Sequence, residues 1–131
     1  MENEKLLILE DDSMVSGMMK IMLERSGYIC DVAVDEDEAY RLFCSARQEG
    51  IPYSAVIFDL VLAEDSLGGL RTLRRIKETE PGVKTILCSG FVSSPVVKNY
   101  KNYGFDSCLS KPFTGASLKT TLLSLVEHSA G

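Results

Sequence analysis

Lys5-Leu6-Leu7-Ile8-Leu9-Glu10-Asp11-Asp12 is an apolar run that ends in three acids. Four consecutive apolar residues without alternation are the pattern of a strand buried on both faces. Three consecutive carboxylates repel one another, and at a strand end facing a sheet crevice they have little water to relieve that repulsion. Such a cluster points to a bound cation or to a helix N-terminus. The pattern recurs: Ala55-Val56-Ile57-Phe58 ends in Asp59, and Thr85-Ile86-Leu87-Cys88 ends in Ser89. A shorter run, Asp106 to Ser110, is followed by Lys111-Pro112. Acid, acid, hydroxyl and amine at successive strand ends suit one metal ion and one phosphoryl group.

Amphipathic segments separate these runs. From Ser13 to Arg25, Val15, Met18, Met19 and Met22 fall at i, i+3, i+4, i+7, the spacing of one helix face, and Gly27 closes the segment. Tyr28 to Val34 reads as a strand. Glu36 to Gln48 reads as a helix with Ala39, Leu42, Phe43 and Ala46 inward, ended by Gly50. Leu60 to Gly69 reads as a loop, followed by a helix with Leu70, Leu73 and Ile76 inward that Pro81-Gly82 terminates. Ser94-Pro95 opens one helix through Val96, Val97 and Tyr100, capped by Gly104. Thr114 caps a last helix with Leu118, Leu122, Leu125 and Val126 inward.

Five strands alternating with five helices predict an α/β fold, a doubly wound parallel sheet covered on both faces. Right-handed crossovers leave few ways to wind it, and the order 2-1-3-4-5 puts strands one and three side by side. Ligands bind such sheets beyond the strand C-termini at that switch point, where Glu10, Asp11 and Asp59 would lie. The 131 residues are expected to form one domain, 1–131.

Bulk composition excludes several classes. The chain is 45% apolar and 25% charged, with net charge −5 and its basic residues scattered, which argues against a nucleic-acid surface. No run has the length of a membrane span, and Met1-Glu2-Asn3-Glu4 is acidic where a signal peptide is basic. Cys30, Cys44, Cys88 and Cys108 lack metal-type spacing and have apolar neighbours, so buried reduced thiols and a cytoplasmic location are expected. The single histidine, His128, leaves no histidine dyad or zinc site.

Asp12, with Ser13, is placed to cap the first helix. Glu10 and Asp11 are placed to hold a hard cation, magnesium, for which manganese can substitute. Beside that cation Asp59 stays ionised and nucleophilic, able to become an acyl phosphate. The Ser89 hydroxyl and the Lys111 ammonium would hold phosphoryl oxygens that the metal leaves free. The Lys111-Pro112 bond is a candidate cis peptide.

These residues, in this order along nearly the whole chain, resemble the receiver domain, the CheY-like phosphoacceptor module of bacterial response regulators and hybrid sensor kinases. The resemblance implies a flavodoxin-like (βα)5 fold and phosphorylation of Asp59. It implies magnesium at Glu10, Asp11, Asp59 and the Val61 carbonyl, with Ser89 as switch hydroxyl and Lys111 as phosphoryl-binding lysine. Partners would be a sensor histidine kinase or histidine phosphotransfer domain, then a downstream protein, with a homodimer as one further option. Cys88-Ser89-Gly90-Phe91, Ser94-Pro95-Val96-Val97 and Tyr103-Gly104-Phe105-Asp106 are most similar to receivers of hybrid histidine kinases.

Three positions depart from the family. Ala63 replaces a proline, the loop from Leu60 to Gly69 is longer, and Cys108 replaces the switch aromatic. Without that ring, a signal would have to travel through Phe91 or the segment from Ser94 to Tyr103. Two rival readings are a receiver-like module that is never phosphorylated and a haloacid-dehalogenase-type phosphatase. The latter needs a general acid two residues past the nucleophile, where this chain has Val61. No reaction is expected beyond the chain's own phosphorylation and dephosphorylation.

Overall fold

The computed structural model describes residues 4–59, 66–89, 95–110 and 113–130. The strands are β1 (Lys5–Leu9), β2 (Ile29–Ala33), β3 (Ala55–Asp59), β4 (Lys84–Ser89) and β5 (Ser107–Ser110). They form one parallel sheet in the predicted order β2-β1-β3-β4-β5. The helices are α1 (Ser13–Arg25), α2 (Glu36–Gln48), α3 (Ser66–Thr79), α4 (Pro95–Lys98), α5 (Tyr100–Tyr103) and α6 (Gly115–Ala130). No helix among the described residues is long and apolar enough to cross a membrane.

Alternation along each strand sends side chains to two separate cores. Leu7, Leu9, Val56, Phe58 and Leu87 pack with Ala39, Phe43, Leu73 and Ile76 of α2 and α3. Leu6, Ile8, Ala55, Ile57, Ile86 and Cys88 pack with Met19, Leu23, Leu118 and Leu122 of α1 and α6. β1 and β3 are buried from Leu6 onward on both faces, which is why they read as unbroken apolar runs.

Three expectations need correction. The buried residues of α1 are Ser16, Met19 and Leu23, while Met18 is 64% exposed. Met19 is buried, Val15 packs against the core and Met22 is half-buried as expected, so the error is confined to Met18 and to the omission of Leu23. Helix α3 begins at Ser66, so the last four residues of the predicted loop, Gly68 and Gly69 included, are helical. A helical glycine costs about 1 kcal/mol, less than burying Leu73 and Ile76 returns. Ala63 and the rest of that loop lie outside the described residues.

Third, the helix expected up to Tyr103 is two single turns, α4 and α5, interrupted at Asn99 with φ −122° and ψ 33°. Asparagine and β-branched residues such as Val97 resist helix continuation. Gly104 closes α5 in the left-handed region, with φ 110°. The capping predictions for Asp12 and Thr114 hold, while Ser94 lies outside the described residues. Asp12 accepts from the amides of Met14 and Val15, at 2.9 and 3.3 Å. Thr114 accepts from the amide of Ser117 at 3.0 Å. Cys30 and Cys88 are buried, Cys44 and Cys108 half-buried, and all four are free thiols.

Candidate functional site

Strands β1 and β3 are hydrogen-bonded neighbours, with Leu9 opposite Phe58. The next residues, Glu10 and Asp59, therefore meet at the C-terminal edge of the sheet. The Glu10 amide donates to the Ala33 carbonyl of β2 at 3.0 Å, which holds Glu10 against the sheet as β1 ends. Asp59 pairs with Cys88 of β4, and Ser89, one residue on, pairs with Ser110 of β5. Lys111 directly follows Ser110, but it and Val61 lie outside the described residues, as does the Lys111-Pro112 bond. The sheet thus brings together Glu10, Asp59 and Ser89, drawn from three adjacent strands.

Burial separates these groups from ordinary turn residues. Glu10 and Asp59 are each 3% exposed and Ser89 is 1% exposed, whereas Asp11 and Asp12 are open to solvent. Burial pushes the Glu10 carboxyl from 4.5 up to about 8, with further upward contributions from hydrogen bonding to the Asp11 side chain and from the charge and proximity of Asp59. Only the Asp12 amide, 3.2 Å from Glu10 Oε2, favours the ionised form. A carboxyl so placed holds its proton near neutral pH unless a cation takes the proton's place.

That competition is the test of fit for magnesium, and the residues pass it. Crowded oxygen donors at a crevice mouth suit a hard cation that takes one or two carboxylates and retains its waters. Among the described residues, no three acid, cysteine or histidine side chains converge into a ready-made ligand shell. A cation here would complete its shell with water and with groups beyond the described residues.

One feature at this end of the molecule is not visible in the periodicity. Met14, Met18 and Ile21 of α1 are 76%, 64% and 54% exposed, at i, i+4 and i+7. They form an apolar stripe opposite the core, starting two residues after Asp12. Gly17 lies within it, with nothing within 4 Å of the position a Cβ would take. The clue in the sequence is that Met14 and Ile21 are apolar outside the face first assigned to the core.

The family model for the response regulator receiver domain matches residues 6–123. The transcriptional regulatory protein PmrA of Pectobacterium parmentieri is 31% identical over 97% of this chain and 54% of its own length. The chain spans about half the length of the first curated relatives it matches. Among solved structures, a two-component response regulator from Clostridium difficile superposes with TM-score 0.82 at 19% identity, covering 98% of this chain and 100% of that one. TrrA of Thermotoga maritima, solved in complex with Mg(2+)-BeF, superposes with TM-score 0.76 at 24% identity, covering 93% of this chain and 98% of that one. At these identities the two structures establish the fold alone.

Proposed function

The chain belongs to the response regulator receiver family, and on that premise we propose that it is a phosphoacceptor whose acceptor atom is a carboxylate oxygen of Asp59. The observation that carries this reading is the meeting of two buried carboxyls, Glu10 and Asp59, at the C-termini of adjacent strands. The donor is a phosphohistidine on a sensor kinase or histidine phosphotransfer domain. An Asp59 oxygen attacks phosphorus, the nitrogen–phosphorus bond breaks, and the imidazole leaves with the electron pair and is reprotonated from water.

The Glu10, Asp11 and Asp59 carboxylates, with the Val61 carbonyl, would hold magnesium, which supplies charge neutralisation at the transferring oxygens. The same ion in the TrrA complex supports that assignment. Ser89 donates its hydroxyl to one phosphoryl oxygen, and Lys111 supplies a positive charge to another. The walls that bury Asp59 limit water's access to the acyl phosphate and so set its lifetime. The stripe of Met14, Met18 and Ile21 beside the crevice supports a protein donor over a small-molecule one. Output passes to a downstream protein or to a domain attached elsewhere, as the length of the relatives suggests.

Acetyl phosphate with magnesium should label the protein once, and Asp59→Asn should abolish the labelling as read by intact mass. Labelling that persisted unchanged in Asp59→Asn would remove Asp59 from this role.

A further inference from the structure

All the methionines but Met1 lie on α1, and the fold treats them unequally. Met19 is 3% exposed, inside the core that α1 shares with α6. Met22 is half-buried over the start of α6. Its Cγ is 2.9 Å from where a Cβ on Gly115 would stand, so glycine leaves the room it fills. Met14 and Met18 turn outward and are the two most exposed large apolar side chains among the described residues. Four residues apart, they are neighbours on one helix face. The Met14 amide donates to the Asp12 carboxylate at 2.9 Å, which fixes the start of the pair beside the crevice.

A thioether is apolar, flexible and polarizable, and it suits an adaptable contact. Exposed, it is also open to oxidants. Its sulfur lone pair attacks one oxygen of hydrogen peroxide as the O–O bond breaks. The proton on the transferred oxygen passes to the departing hydroxide, giving water and a sulfoxide. Sulfur loses two electrons and peroxide gains them. The product is polar and chiral, so an apolar contact becomes one that must satisfy an oxygen acceptor. The thiols compete poorly on this side of the molecule. Burial pushes Cys30 up to about 12 and raises Cys108 as well, which keeps both from the reactive thiolate form. Cys88 is buried, and Cys44 lies on α2, which covers the opposite face of the sheet from α1.

We propose that Met14 and Met18 form an oxidation site: peroxide converts them to sulfoxides, which close α1 to the protein phosphodonor and leave the chemistry at Asp59 intact. Met19 and Met22 are held against the core and α6 and are spared. The proposal rests on the phosphoacceptor reading above, and the two fail in different ways.

The full chain is treated with hydrogen peroxide, reduced with dithiothreitol to reverse thiol oxidation, and mapped by tandem mass spectrometry. Met14 and Met18 should react at least about fivefold faster than Met19 and Met22. Met19 or Met22 reacting as fast would overturn the site. Labelling is then followed from two donors: acetyl phosphate, and the phosphorylated kinase or phosphotransfer domain of the same organism that labels the parent fastest. Oxidation should slow the protein donor about tenfold or more, the effect of an unpaired polar oxygen in an apolar contact, and leave acetyl phosphate within about twofold. Methionine sulfoxide reductases should restore the rate. Met14→Leu/Met18→Leu, whatever its own starting rate, should lose the sensitivity to peroxide. An unchanged protein-donor rate, equal slowing of both donors, or slowing that persists in the leucine variant would overturn the proposal and leave the acceptor standing. Absence of labelling from both donors would remove the phosphoacceptor reading itself. A parent that acetyl phosphate labels and no protein donor does would end the protein-donor reading, and this proposal with it.

Discussion

The two edges of the sheet treat buried polar groups in opposite ways. Toward the N-terminal edge two carboxylates, Asp106 and Asp31, are answered from within the chain. Asp106 is held by Lys77 and Thr85 at 2.8 to 3.1 Å, and Lys77 also donates to the Val83 carbonyl at 2.9 Å. Asp31 accepts from the Tyr53 hydroxyl at 2.7 Å, with Lys5 at 3.7 Å. At the C-terminal edge acids face acids, and Glu10 is driven to keep a proton. Polar groups balanced within the fold serve stability, whereas a cluster of one sign reserves a place for something that arrives from outside. Substitutions should therefore separate the edges: changes below cost stability and spare the chemistry, changes above do the reverse.

The largest effect on stability belongs below. Asp106→Ala removes the acceptor shared by Lys77 and the wholly buried Thr85, and should cost about 2–4 kcal/mol in urea unfolding. Magnesium affinity, measured on the still-folded protein, should stay within about twofold. A tenfold loss of magnesium affinity would mean that the two edges are not independent.

Glu10→Gln is the mirror case. It removes a group that must take up a proton on folding near neutral pH, so the metal-free protein should gain on the order of 1–2 kcal/mol, allowing for water at the crevice mouth. Magnesium affinity should fall sharply in the same variant. A loss of stability instead would show that the Glu10 carboxylate is balanced within the fold after all.

In the parent protein the same group gives a pH signature. A folded-state value of about 8 against 4.5 means that Glu10 contributes its full stability below about pH 4.5 and loses it as pH rises to about 8. Metal binding runs the other way, since magnesium must displace that proton. Its affinity should rise toward tenfold per pH unit up to about pH 8 and then level off, as a magnesium titration at several pH values would record. A flat profile would remove Glu10 from the metal site.

What was legible in the sequence follows the same division. Strand order, capping by Asp12 and Thr114, and the meeting of Glu10, Asp59 and Ser89 all follow from unbroken apolar runs and the chemistry at their ends. Those signals are local, and right-handed crossover geometry does the rest. The face of α1 was legible only in part: Val15 and Met19 were read inward correctly, but Met14, Met18, Ile21 and Met22 are apolar too, and only packing selects Leu23 over Met18 for the core. Nor was the break at Asn99, since Ser94-Pro95 and Gly104 are competent caps for a single helix. The network around Asp106 joins residues 29 and 21 positions apart, a distance at which no sequence period acts.

The smallest predicted effect tests the lower edge most cleanly. Tyr53→Phe removes one hydroxyl and leaves the ring, which stacks on Phe43 at 6.4 Å and lies 4.8 Å beneath the Lys5 ammonium. The loss is then one hydrogen bond to a half-exposed carboxylate, about 0.5–1.5 kcal/mol. Asp31 can turn to water, since its side chain is 41% exposed. Chemical denaturation should register that small loss, and acetyl phosphate labelling should proceed at the parent rate. Slower labelling in Tyr53→Phe would show that polar contacts below the sheet reach the acids above it, and that the two edges are one system.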